Sequence, residues 1–240
     1  MRLFFKFFVA VAAIFIAASA AFCYWLAYYN GDLPDISSLE QFSPANQSTA
    51  TDTCNNSSIT VLPSDEFGKY LPHAITTAED FDSSTTTLKS FSQAASDVRP
   101  HHSLPLQLAR LLICVPGKSI DHQLKTIRLA IRLERRFTNE QLLTIYMNRV
   151  YLGQNLQGVY SASQLYFGKP PGQLSLAESA ALAVLIRQPN FYLNHPEKLL
   201  PRRNEILEAI ISAGKITQEE LQAAEHEPLP NLNGPATKKR

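Results

Sequence analysis

Helix start and stop signals in the C-terminal half constrain this chain more than any other feature. Thr138 with Gln141, Ser175 with Glu178, and Thr217 with Glu220 each have capping-box spacing, in which side chain and backbone satisfy each other's orphan groups. Gly168 and Gly214 stand where helices should stop, and Pro189, Pro196 and Pro201 mark the connection between two late helices. Shorter signals precede them. Residues 59–62 read as a short extended piece, 71–80 as a short helix with Pro72 in its first turn, and 106–113 as a short apolar helix. Over 123–136, Leu124, Ile127, Ile131 and Glu134 follow helical spacing, with basic residues on much of the other face. Strand alternation is nearly absent, so the expected fold class is all-α.

The N-terminus differs in kind. After Arg2 and Lys6, residues 7–29 carry no charge and end in Tyr24, Trp25, Tyr28 and Tyr29. A helix needs roughly 20 apolar residues to cross the hydrocarbon core, and interfacial aromatics suit its end. Ala18-Ser19-Ala20 has the form of a signal-peptide cleavage site, but the apolar run continues well beyond it, which favours a retained transmembrane helix. The positive flank then stays inside, and the body is exported.

Residues 30–58 are rich in Ser, Thr, Asn and Asp and read as a linker, and 82–103 read as a mobile loop. The remaining chain has enough apolar residues, 45% overall, for a real core, while a net charge of +1 gives no footprint for nucleic acid. Cys23 lies in the apolar run; Cys54 and Cys114 are either a pair or two unrelated thiols. Metal-ligand spacing of the zinc type, a phosphate-cradling glycine loop and a Ser-His-Asp arrangement are all missing from the sequence.

Residues 127–207 carry a resemblance to a known family. Leu142-Leu143 and Tyr146-Met147-Asn148 follow Asn139, Gln157-Gly158-Val159-Tyr160 leads to Gly168-Lys169, and Arg202 precedes Ile206-Leu207. This succession resembles the later motifs of the family 51 peptidoglycan glycosyltransferases, with Asn139 in place of a lysine. The resemblance implies a lysozyme-like helical domain that extends glycan from a lipid-linked disaccharide. It also implies structural roles for Asn148, which holds the turn after its helix, and for Arg202. By the residues themselves, Leu142, Leu143, Ile145, Tyr146 and Met147 read as core.

Upstream the agreement thins. Glu79-Asp80 matches the start of the family's first motif, whose glutamate is the general base, but Ser83, Thr86 and Leu88 replace the residues that follow. Asp80 is carried over as a structural motif residue. Read bare, the acidic pair is a solvated helix cap. In the second motif only Gln107, a substrate-binding position, survives, with His102, Ser103, Leu104, Pro105 and Leu106 before it. In the third, Thr126 stands where the second catalytic glutamate belongs; Lys125 and Arg128 remain as phosphate-facing candidates. The spacing between Glu79 and the second motif is shorter than the family's.

The expected organisation is a cytoplasmic flank and anchor at 1–29, a polar linker at 30–65, the glycosyltransferase-like domain at 66–228 and a tail at 229–240, with no transpeptidase domain attached. The expected function is an inner-membrane, periplasm-facing member of that family, impaired in catalysis because Thr126 cannot replace a carboxylate. Its alternative is a non-catalytic scaffold of the wall-synthesis machinery; a soluble lysozyme-like hydrolase has no use for the late motifs. Implied partners are the lipid-linked disaccharide or glycan strand, the membrane and other wall synthases. A divalent cation is implied only by the family.

Overall fold

The computed structural model describes residues 12–24, 33–43, 47–51, 54, 58–79, 103–114 and 119–229. The chain divides into two compact units, Met1–Asp35 and Ile36–Arg240. In the first, residues 12–24 form a helix, α1, without a charged residue; the Ser19 hydroxyl donates to the Ile16 carbonyl at 2.9 Å. Among the described residues no helix is long and apolar enough to cross a membrane. Much of the expected span at 7–29 lies outside them.

The second unit begins inside the segment read as polar linker. A 3-10 turn over Ser37–Phe42 buries Leu39 and Phe42, and β1 (Ser48–Thr51) pairs antiparallel with β2 (Ser58–Val61), Ser48 opposite Val61. Ala50, Ile59, Val61 and Leu62 are buried. Average polarity hid this: a few apolar side chains at alternate positions suffice to dock a short hairpin.

The rest is helical: α2 (Tyr70–Ala78), α3 (Leu104–Leu112), α4 (Ile120–Arg136), α5 (Asn139–Arg149), α6 (Val159–Phe167), α7 (Leu176–Arg187), α8 (Pro189–Asn194), α9 (Pro196–Ser212) and α10 (Gln218–His226). α7 is the central helix. Every side chain from Leu176 to Ile186 is buried, and Ala177, Ala180, Ala181 and Ala183 keep its surface small enough for α2 and α9 to pack closely against it. α3 packs against α4 and α5 on the other side.

The three capping boxes form as the sequence predicts, each with both reciprocal hydrogen bonds. At α7 the box is reinforced: Lys169 Nζ donates to both Glu178 oxygens at 2.8 and 2.9 Å. Gly168 ends α6 in the left-handed conformation, and Gly214 follows α9 with φ 67°. The prolines differ from expectation. Pro189 and Pro196 open α8 and α9, while Pro201 lies inside α9. Pro201 and Glu197 four residues before it are both exposed, so the helical hydrogen bond that Pro201 cannot make is lost on the solvent-facing side of α9.

α4 also turns a different face inward. Thr126, Leu129, Ala130 and Leu133 are buried, whereas Leu124 is exposed and Ile127 and Ile131 only half-buried. Two apolar stripes run side by side on this helix, and periodicity alone does not choose between them.

Candidate functional site

Glu79 is the C-cap of α2, and its amide donates to the Ile75 carbonyl at 3.0 Å. It is not the solvated cap that an acidic dipeptide suggests, being only 6% exposed. The position disfavours a carboxylate twice, because burial penalises the charge and a helix C-terminus is the negative end of its dipole. Such a group needs nearby cations.

They stand around the same cavity. It measures about 410 Å³ and is lined from α2 by Glu79 and from α3 by Gln107, Arg110 and Leu111. Tyr146 of α5, Val150 and Tyr151 just after it, and Ile186 and Arg187 at the end of α7 form the facing wall, with Pro189 of α8 beside them. Gln107, Arg110 and Leu111 share one helix face by their spacing. Burial pushes the Tyr146 hydroxyl well above its ordinary value; the Glu79 charge adds to this and Arg187 opposes it. Tyr146 therefore senses both the Glu79 and the Arg187 charge.

The wall after α5 depends on its glycines. Gly153 has φ 89°, and a Cβ there would lie 2.7 Å from Leu193 Cδ1; Gly158 has φ 77°, and its Cβ would lie 2.7 Å from the Asn148 carbonyl oxygen. Only glycine allows this turn to close with Gly158 N–H donating to Val150 O at 2.9 Å. Tyr166 braces it by donating to Leu152 O at 2.8 Å, and burial raises that hydroxyl to about 12.

Of the residues expected at the site, Glu79 and Gln107 come together, and Asp80 lies outside the described residues. Lys125 and Arg128, the expected phosphate ligands, are on α4 and do not line the cavity; Lys125 pairs with Asp121 at 3.2 Å. Thr126 is buried, and its Oγ1 donates to the His122 carbonyl one turn back at 2.8 Å. Ser103 is fully buried at the N-cap of α3, and Pro105 occupies that helix's first turn. Asn148 is structural in a different way from that expected. Its amide nitrogen donates to the carbonyls of Phe42 (3.0 Å) and Leu62 (2.8 Å), and its Oδ1 accepts from Leu62 N–H at 2.9 Å. It thus ties the hairpin region to α5 rather than holding the turn that follows.

Arg202, expected to support the fold, is part-exposed and pairs with Glu205. The supporting role falls to Arg203, 1% exposed, which donates to the carbonyls of Glu227 and Glu225 at 2.8 and 2.9 Å. Sequence reasoning missed Arg110, Arg187, Tyr146 and Tyr151 as cavity residues. Arg110 had a signal, being one turn from Gln107 on the same face. Tyr146 was assigned to the core, and it is both buried and part of the wall.

The cavity offers one carboxylate, able to accept a proton, and two guanidiniums suited to phosphate oxygens. Among the described residues the cavity lining sets Glu79 beside two guanidiniums, a donor set that does not fit the divalent cation implied by the family resemblance. Among the described residues no cluster of three His, Cys, Asp or Glu side chains could hold a metal ion.

The family model described as Transglycosylase matches residues 46–211. The chain belongs to the transglycosylase family. The matched span takes in the hairpin as well as the helices, in accord with the resemblance of residues 127–207 to family 51 peptidoglycan glycosyltransferases. Penicillin-binding protein 1A of Pseudomonas aeruginosa is 34% identical over 183 residues, 68% of this chain and 22% of that protein. Penicillin-binding proteins 1A of Aquifex aeolicus and Escherichia coli are each 37% identical, over 57% and 48% of this chain and 19% and 14% of theirs. This transglycosylase-family chain thus spans about a fifth or less of the length of these curated relatives.

Proposed function

We propose that this protein is a membrane-anchored member of the transglycosylase family that holds lipid-linked disaccharide in the Glu79 cavity and polymerises it poorly. The observation that carries this reading is the fate of position 126. A second catalytic group would have to reach the cavity; Thr126 is buried in α4 with its hydroxyl spent on its own helix. Glu79 remains placed to take a proton from an acceptor hydroxyl. Arg110 and Arg187 line the same cavity, which supports them as pyrophosphate ligands in place of Lys125 and Arg128. A positioned acid or base contributes about 10²- to 10⁴-fold, so losing one carboxylate leaves little turnover. The same observation favours a second reading, a pure scaffold that binds precursor, glycan or another wall synthase without any turnover.

Membrane anchoring and an extracytoplasmic body are part of the proposal. The uncharged run at 7–29 after Arg2 and Lys6 supports the anchor. The disulfide between Cys54 and Cys114 supports an oxidising compartment for the body.

The test is polymerisation by the full-length protein in detergent with lipid-linked disaccharide, read as glycan strands on a gel alongside precursor retained on a filter. Retained precursor with few or no strands is expected. Robust strands that Glu79→Gln abolishes would overturn impaired catalysis, and a trace that Glu79→Gln removes separates the weak enzyme from the scaffold. Thr126→Glu is expected not to restore polymerisation, because its carboxylate would begin from a buried position outside the cavity lining.

A further inference from the structure

The body carries one covalent link that the transglycosylase reading leaves unused. Cys54, in the turn between β1 and β2, is bonded to Cys114, just beyond α3, with a sequence separation of 60. Between these half-cystines the chain contributes Glu79 at the end of α2 and Gln107, Arg110 and Leu111 on α3, one whole side of the cavity. The facing side, from Tyr146 to Arg187, lies outside that loop and rests on the buried helices α5 and α7.

The two helices inside the loop are anchored on different partners. Glu79 is fixed through α2, whose Leu71, Ala74, Ile75 and Ala78 are buried and which packs on α7. α3 is short, and its contacts with α4 and α5 come from one face, through Leu104, Leu108, Ala109 and Leu112. Leu111 lines the cavity only three residues before Cys114, less than one helical turn. The bond therefore pins the end of α3 that shapes the site. Cys114 is exposed and Cys54 half-buried, so a small dithiol can reach the sulfurs.

We propose that the Cys54–Cys114 disulfide is a redox-sensitive clamp on the cavity. Oxidised, it holds the α3 side against Glu79 and the fixed α5–α7 side; reduced, it lets the last turn of α3 open locally. The chemistry is thiol–disulfide exchange with a dithiol. One thiolate attacks a sulfur and forms a mixed disulfide, and the second thiol displaces it. Cys54 and Cys114 end as two thiols and the dithiol as a disulfide, two electrons and two protons having passed between them. Release returns chain freedom to the loop, and local opening appears first at the exposed end of α3, where Arg110 is exposed and Leu111 and Ile113 are half-buried, rather than in α7, buried from Leu176 to Ile186. The clamp operates whether the cavity catalyses or only binds.

Hydrogen exchange on the full-length protein tests this, comparing the oxidised form with protein reduced by dithiothreitol, with alkylation verifying that Cys54 and Cys114 are thiols. Amides from Leu108 to Ile113 are expected to exchange on the order of tenfold faster after reduction, while α7 and α9 stay protected over the same labelling time and reoxidation restores protection. Unchanged exchange in α3 with both thiols free would overturn the clamp. A uniform loss of protection in every helix would overturn it too, leaving a general stabiliser. The Cys54→Ser, Cys114→Ser double variant should reproduce the reduced pattern; should it fail to fold, reduced wild-type protein decides.

Discussion

The two sides of the cavity have been kept by different means. The side built from α5, the turn after it and α7 is held by buried helices, an asparagine with three backbone hydrogen bonds and glycines that permit a tight turn. The side built from α2 and α3 retains Glu79 and Gln107 but borrows covalent support from a disulfide, and neighbouring α4 has turned position 126 into packing. One side thus rests on packing and on hydrogen bonds from a side chain to distant backbone, while the other adds a covalent link between distant segments.

That contrast can be broken by measurement. The largest effect expected is on the borrowed side: the Cys54→Ser, Cys114→Ser pair should lower unfolding free energy by about 4 kcal/mol, from the entropy of the released loop, in urea titration. Next, Asn148→Ala should cost about 3 kcal/mol by leaving the amide of Leu62 and the carbonyls of Leu62 and Phe42 without their partner. Thr126→Val, by contrast, should change stability by no more than about 1 kcal/mol, since the His122 carbonyl keeps its helical donor. Equal costs at 126 and 148 would erase the distinction between the sides. Thr138→Ala, which removes the cap of α5, should cost about 1 kcal/mol in the same titration.

The smallest effect is one of pH. Glu220 is held down to about 2, first by its hydrogen bond with Lys69, then by the Thr217 amide and the Tyr70 hydroxyl. A carboxylate lower in the folded than in the unfolded chain stabilises fully above about 4.5, and that contribution fades as pH falls toward 2. Glu220→Gln should therefore lower stability slightly above about pH 4.5 and leave it unchanged near pH 2, which flattens the acid limb, and solvent screening at the exposed Lys69 keeps the effect small.

What was legible in the sequence was local. Capping boxes involve residues three apart, so their spacing announces them before any tertiary contact exists, and all three formed. Glu79 and Gln107 were found through motif position, and the cavity joins them. What was not legible depends on distant chain. Whether Cys54 meets Cys114 is decided by how the hairpin docks beside α3. Which of two adjacent arginines is buried is decided by the end of α10 and the residue just beyond it, whose carbonyls receive Arg203 and not Arg202. Tyr146 shows a further limit: a residue in the core and a residue in the site are not exclusive classes when the cavity reaches the core.

The Asn148 amide has a consequence for where this protein can be cut. Its partners, Phe42 and Leu62, flank the hairpin, so one side chain stitches both ends of that ribbon to the helices. A fragment trimmed to start at Tyr70 would keep α2 to α10 and lose all three mates of a side chain that has no access to water. The smallest autonomous piece therefore starts upstream of Phe42, in sequence that its composition alone marks as dispensable.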